Sequence, residues 1–164
     1  MSRAFAPRPH PLAGGVLARP LRTAEAAVLG AVCATIDPYL TLGLSASGLA
    51  GYLDRDDPAL HRFALVDGET LAGVLVVRQP WLRGPFIEML AVLPGHQGAG
   101  IGAAAIAWTA AQAALLSPNL WATVSDFNTA ARAFYARHGF VETAELPGLV
   151  DDRFSEVLLR RRLG

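Results

Sequence analysis

"GHQGAGIG", residues 95–102, sets four glycines in eight positions. It follows an apolar, strand-like run, PFIEMLAVL (85–93), and leads into a long apolar helical run that ends at Leu116. A glycine inside a helix costs ~1 kcal/mol relative to alanine. A tight turn that needs glycine dihedrals accounts for one or two of the four. A ligand that needs bare backbone close by accounts for all of them, together with Gln97. Two other ligand patterns fail, one on its letters and one on its context. Gly95 and Gly100 have P-loop spacing, but Ile101 and Gly102 stand where the lysine and the hydroxyl of that loop belong. Gly98, Gly100 and Ala103 match a dinucleotide fingerprint. However, Pro94-Gly95-His96-Gln97 intervene after the strand, and the next acid past a strand end, Asp126, comes about six residues too late.

Working outward, the chain divides into alternating periods. VLARPLR (16–22) reads as a strand, and AEAAVLGAVCATI (24–36) as a helix with Thr23 as N-cap and Asp37-Pro38 as its stop. An apolar connection over 39–46 leads to a short helix at 47–55. RFALV (62–66) and TLAGVLVVR (70–78) form a hairpin about Asp67-Gly68. The strand at 85–93 precedes the longest helix, whose core face carries Ile101, Ala105, Trp108, Gln112 and Leu115. LWATVS (120–125) is a strand, and Thr129–His138 a helix with Asn128 as N-cap and Gly139 as C-cap. Strands at 140–146 and 153–161 finish the chain. This order predicts one α/β domain over 16–164, behind a loose, flexible arm at 1–15. Its sheet is mixed and mostly antiparallel, with helices on both faces and a right-handed parallel crossover between residues 85 and 125.

Composition narrows the function classes. The 164 residues carry 14 arginines, no lysine, 14 acidic side chains and four histidines. A neutral chain gives no reason to expect nucleic acid or a membrane as partner. The one apolar stretch of membrane character, 101–116, is shorter than a spanning helix. Without a secretory signal pattern, a cytoplasmic setting is the expectation. Cys33 lies in an alanine-rich helix and reads as core rather than as a nucleophile. His10, His61, His96 and His138 show no metal-ligand spacing, so no metal is expected.

Taken whole, the segment is Gln97-x-x-Gly100-x-Gly102 between a strand and a long helix. It resembles the acyl-CoA-binding motif of the GNAT superfamily of N-acetyltransferases. NTAARAFYARHGF (128–140) is similar to a second segment of that superfamily, Asn-x-x-Ala-x-x-Phe-Tyr-x-x-x-Gly-Phe, at the right separation. The resemblance runs from residue 16 to 162 and is vague before residue 60. It implies a GNAT-like fold with splayed parallel strands at 85–93 and 119–125. It also implies an acyltransferase that uses acetyl-CoA as co-substrate and a primary amine as acceptor. The amine would attack the thioester directly in a ternary complex. The physics agrees, because a helix N-terminus leaves amides unpaired and carries partial positive charge, and glycines let a pyrophosphate approach it.

The resemblance also implies roles. Leu90, Ala91 and Val92 would bond the pantetheine arm through their backbone, with an N–H near Val92 polarising the thioester carbonyl. Gln97, Gly98, Ala99, Gly100, Ile101, Gly102 and Ala103 would hold the pyrophosphate. Asn128, Ala131 and Phe134 would line the arm, and Arg137 would reach the 3′-phosphate or be a solvated helix-end arginine. Tyr135 would give a proton to the departing thiolate. Glu88, an acid in an apolar strand on the same face as Leu90 and Val92 if alternation holds, is the candidate general base. Its other reading is a carboxylate paired with Arg78 or Arg83. The acceptor site is expected from 37–46, 79–84 and 147–154. Tyr39, Leu40, Leu42, Trp81 and Phe154 would make it partly apolar, and Asp151 and Asp152 would draw a cationic amine. The acceptor could be a peptide N-terminus, a small amine, an amino acid or an aminoglycoside, and a homodimer is left open. The alternative class is a non-catalytic acetyl-CoA sensor or interaction domain.

Overall fold

The computed structural model describes residues 4–164. Eight strands form one sheet: β1 (His10–Pro11), β2 (Val16–Pro20), β3 (Leu60–Asp67), β4 (Thr70–Arg78), β5 (Phe86–Val92), β6 (Asn119–Ser125), β7 (Val141–Pro147) and β8 (Ser155–Arg162). Their spatial order is β1-β2-β3-β4-β5-β6-β8-β7. Every neighbouring pair is antiparallel except β5 and β6. The helices are α1 (Thr23–Cys33), α2 (Ala46–Asp54), α3 (Ile101–Ala114) and α4 (Thr129–Arg137).

Three of the four helix starts are fixed by a side chain. Glu25 accepts the Arg22 N–H at 2.9 Å while Arg19 grips the same carboxylate, which fixes the first turn of α1. Ser45 Oγ accepts the Gly48 N–H at 3.0 Å ahead of α2, and Asn128 Oδ1 accepts the Ala131 N–H at 3.2 Å ahead of α4. Such side chains satisfy donors that a helix start leaves unpaired. Two apolar layers cover the sheet. Leu75, Val77, Ile87, Ile106, Leu120 and Val157 pack on the side of α3 and α4. Leu29, Leu49, Leu53, Val74, Val76 and Met89 pack on the side of α1 and α2.

One irregularity shapes the centre of the sheet. Val76 faces Met89, but Val77 faces Ile87, so Glu88 is an extra residue in β5. A bulge of this kind bends its strand and breaks the alternation of side chains. Ile87 accordingly belongs to the α3 layer, whereas Met89 and Ala91 belong to the α1–α2 layer. β5 and β6 share only the pairs Phe86↔Trp121 and Ile87↔Ala122, and pairing stops where the bulge begins. The expected splayed parallel strands are therefore present, with the fork opening at Glu88.

Some expectations from the sequence differ from the structure. In place of a loose arm, residues 4–15 lie against the domain. Phe5 is 1% exposed and meets Trp108 edge-on, and β1 pairs with β2. Residues 1–3 fall outside the described residues. On α3, Ile101 and Ala105 are buried as read, but Leu115 is 67% exposed because the helix ends at Ala114. Cys33 is core, and burial pushes its thiol up to about 11. Among the described residues, no helix is long and apolar enough to cross a membrane.

Candidate active site

The fork leaves a gap in the middle of the sheet, and two cavities open from it. The first has a volume of about 590 Å³ and runs from the fork to the start of α3. Leu90, Ala91, Val92, Gln97, Gly98, Gly100, Ile101, Gly102 and Ala103 line one side of it. Asn128, Ala131, Phe134, Tyr135 and Arg137 line the other. Of the sequence-derived cofactor residues, Ala99 alone is not on this wall.

Backbone geometry shows what this wall can hold. Leu93 N–H donates to Ala72 O of the β3–β4 side at 2.8 Å. Backbone groups alternate along a strand, so the amides of Leu90 and Val92 turn the other way, into the fork. Gln97 Nε2 donates to Val92 O at 3.1 Å and so ties the turn to the strand end. Gly95, Gly98 and Gly100 have φ of +88°, +78° and +82°, conformations that favour glycine. A Cβ on Gly102 would meet the Phe134 ring at 3.2 Å. Dihedral need thus accounts for three of the four glycines, more than the sequence suggested. Those same turns bring the start of α3 to the cavity. The Ala104 N–H closes the first helical bond, to Gly100 O, so the amides of residues 101–103 remain for a ligand. The wall thus offers amides for an anion at the start of α3 and for a polar group along β5.

The second cavity, of about 660 Å³, lies on the α1–α2 side and shares Tyr39, Leu90, Asn128, Ala131 and Tyr135 with the first. Tyr135 is 7% exposed, packed edge-on to Phe140 and Phe134, and its hydroxyl makes no hydrogen bond with a described residue. Burial raises its pKa well above the ordinary phenol range, which keeps it protonated. Phe134 instead covers the first turn of α3, so the two neighbouring aromatics serve different surfaces of α4.

Glu88 takes the paired arrangement. Arg78 Nε reaches its carboxylate at 2.9 Å, and the Tyr52 hydroxyl donates to it at 2.7 Å. The bulge is the reason. It turns Glu88 toward α2 rather than onto the face of Leu90 and Val92, where strict alternation would have set it.

The acceptor-side expectations divide by topology. Tyr39, Leu42, Leu44 and Val150 line the second cavity. Leu40 does not, and is 58% exposed. Trp81 stacks on Phe86 at 4.6 Å and meets Trp121 edge-on, at the opposite end of β5. The 79–84 loop joins the end of β4 to the start of β5, whereas the fork opens toward the end of β5. Phe154 packs on Phe127 instead of the cavity. Asp151 is held by Arg153, whose guanidinium lowers its pKa to about 2, and Arg153 also donates to Thr41 O, tying the two loops beside the cavity together. Glu156, on β8, was missed by the sequence reading. It is buried, accepts the Ser125 hydroxyl at 2.7 Å and borders the second cavity. An acid between Ser155 and the apolar pair Val157-Leu158 was the available signal. No group of three potential metal-ligating side chains occurs among the described residues.

The model of the Acetyltransferase (GNAT) family matches residues 28–140. No curated protein matches the sequence. Among solved structures, an acetyltransferase from Thermus thermophilus is similar at 23% identity and a TM-score of 0.73, covering 90% of this chain and 97% of that one. Nourseothricin acetyltransferase is similar at 28% identity and a TM-score of 0.60, covering 66% and 68%. Mycobacterium smegmatis RimJ, in complex with CoA-disulfide, is similar at 20% identity and a TM-score of 0.71, covering 97% and 89%.

Proposed function

The chain belongs to the GNAT acetyltransferase family, and from that premise we propose that it transfers the acetyl group of acetyl-CoA to a primary amine. Acetyl-CoA supplies an activated thioester. The amides of residues 101–103, with the glycine turns before them, would bind its pyrophosphate. The fork-facing amides of Leu90 and Val92 would bond its pantetheine arm, and one of them would hold the carbonyl oxygen as negative charge builds there. Asn128, Ala131 and Phe134 would wall the arm from the α4 side. The amine would enter from the second cavity as its free base and form the carbon–nitrogen bond as the carbon–sulfur bond breaks. The Tyr135 hydroxyl would give its proton to the departing sulfur, and the proton released by the attacking nitrogen would restore the phenol.

The observation that carries this reading is the meeting of the two cavities at Tyr135, through the gap between β5 and β6. A donor and an acceptor bound in them would face each other directly, so no covalent enzyme intermediate is needed. The test is calorimetric titration with acetyl-CoA, with NADH and ATP as controls, followed by thiol release across a panel of amines. Binding of acetyl-CoA alone, with amine-dependent thiol release, supports the proposal. Binding without consumption across the panel favours a sensor, and no binding by folded protein removes both.

A further inference from the structure

The second cavity carries charge of one sign. Glu88 and Glu156 are the carboxylates on its wall, and no arginine or histidine lines it. Glu88 is already matched by Arg78 and Tyr52. Glu156 is not. It is 7% exposed, its Oε1 accepts from Ser125 Oγ at 2.7 Å, and its Oε2 accepts no hydrogen bond from a described residue. No described arginine pairs with it, and the nearby acid Asp126 opposes its charge. A buried carboxylate without a countercharge is costly, and a cationic ligand offsets that cost. Around it the wall is largely apolar, with Leu42, Leu49, Met89 and Val150, and the cavity edge leaves Leu44 and Val150 exposed.

We infer that Glu156 receives the ammonium of an acceptor with an apolar body and no carboxylate, of the arylalkylamine class, rather than a free amino acid. The inference rests on the transferase reading for the word acceptor, but the binding it describes is independent of turnover. A carboxylate on the ligand would meet the uncompensated Glu156 in a cavity with no arginine or histidine on its wall. An apolar body replaces water against the leucine and methionine surface. Ser125 holds the acid in place, so the cation meets a carboxylate with one free oxygen.

The test is calorimetric titration of the folded chain with 2-phenylethylamine, phenylalanine and 3-phenylpropanoate, with no acetyl-CoA present. The amine is expected to bind about tenfold or more tightly than either carboxylate-bearing ligand. Glu156→Gln, verified as folded by its melting curve, is expected to lose about tenfold in affinity for the amine. Equal binding of 3-phenylpropanoate, no binding of the amine, or an unchanged affinity in Glu156→Gln would each overturn the inference. The comparison of ligands on the unaltered chain decides the matter even if the variant fails to fold. Amine binding without thiol release from acetyl-CoA would sink the transferase reading and leave this one standing.

Discussion

Tyr135 stands where the two cavities meet, with its phenol unbonded and its pKa raised by burial. Tyr135→Phe keeps the packing on Phe134 and Phe140 and deletes only the hydroxyl. Its kcat is expected to fall about 10²-fold or more, with the affinity for acetyl-CoA unchanged. An unchanged kcat would move the acid role elsewhere. Glu88 contrasts with it, because both its oxygens already serve Arg78 and Tyr52. Glu88→Gln is therefore expected to leave the shape of the pH–rate profile intact, and loss of its acidic limb would restore the general-base role. The place of Tyr135 beside the cavities was legible in the sequence because its motif is local, with helix cap, aromatic pair and glycine stop within a single short segment. The direction of Glu88 was not, because FIEMLAV is apolar on both faces and its letters do not reveal which residue is the extra one.

At the scale of elements, the second cavity depends on how α2 sits. A Cβ on Gly30 of α1 would lie 2.6 Å from Ala46 O and 2.8 Å from Ala50 N of α2. The two backbones touch there. Gly30→Ala must push α2 away, at a cost of about 1–3 kcal/mol typical of overpacking. Its melting temperature is expected to drop, and its KM for the amine to rise more than its KM for acetyl-CoA, since α2 lines only the second cavity. Equal changes in both constants would mean that α2 does not shape the amine site. Elements other than β1 were readable from period, within a few residues at their ends, although α1 is capped by Arg22 with Glu25 and not by Thr23. Their ends in space were not. The 79–84 loop and the 95–100 turn flank the same strand, and only the direction of β5 in the sheet decides which of them reaches the fork.

For the molecule as a whole, the site is bought with stability. Burial and the nearby Asp126 raise the pKa of Glu156, against a smaller lowering by Ser125. A raised folded-state pKa means that its contribution is fully present below the ordinary carboxylate range and is lost as pH rises through the raised value. Glu156→Gln is thus expected to melt higher than the unaltered chain at neutral pH, with the gap closing as pH falls below the ordinary carboxylate range, as scanning calorimetry would show. A gap that stays constant with pH would mean that ionisation of Glu156 costs nothing. The sheet has its own weak point. Five strands stand on one side of the β5–β6 joint and three on the other, and two residue pairs join them. Mechanically, the β5–β6 joint is a narrow seam between two broader plates, one of five strands and one of three. Amides of β6 beyond Ala122 on the edge facing the fork have no partner strand to slow their exchange with solvent, whereas those facing β8 do. A molecule lodged in the fork would act as a missing rung, stiffening the joint and slowing hydrogen exchange on both plates at once.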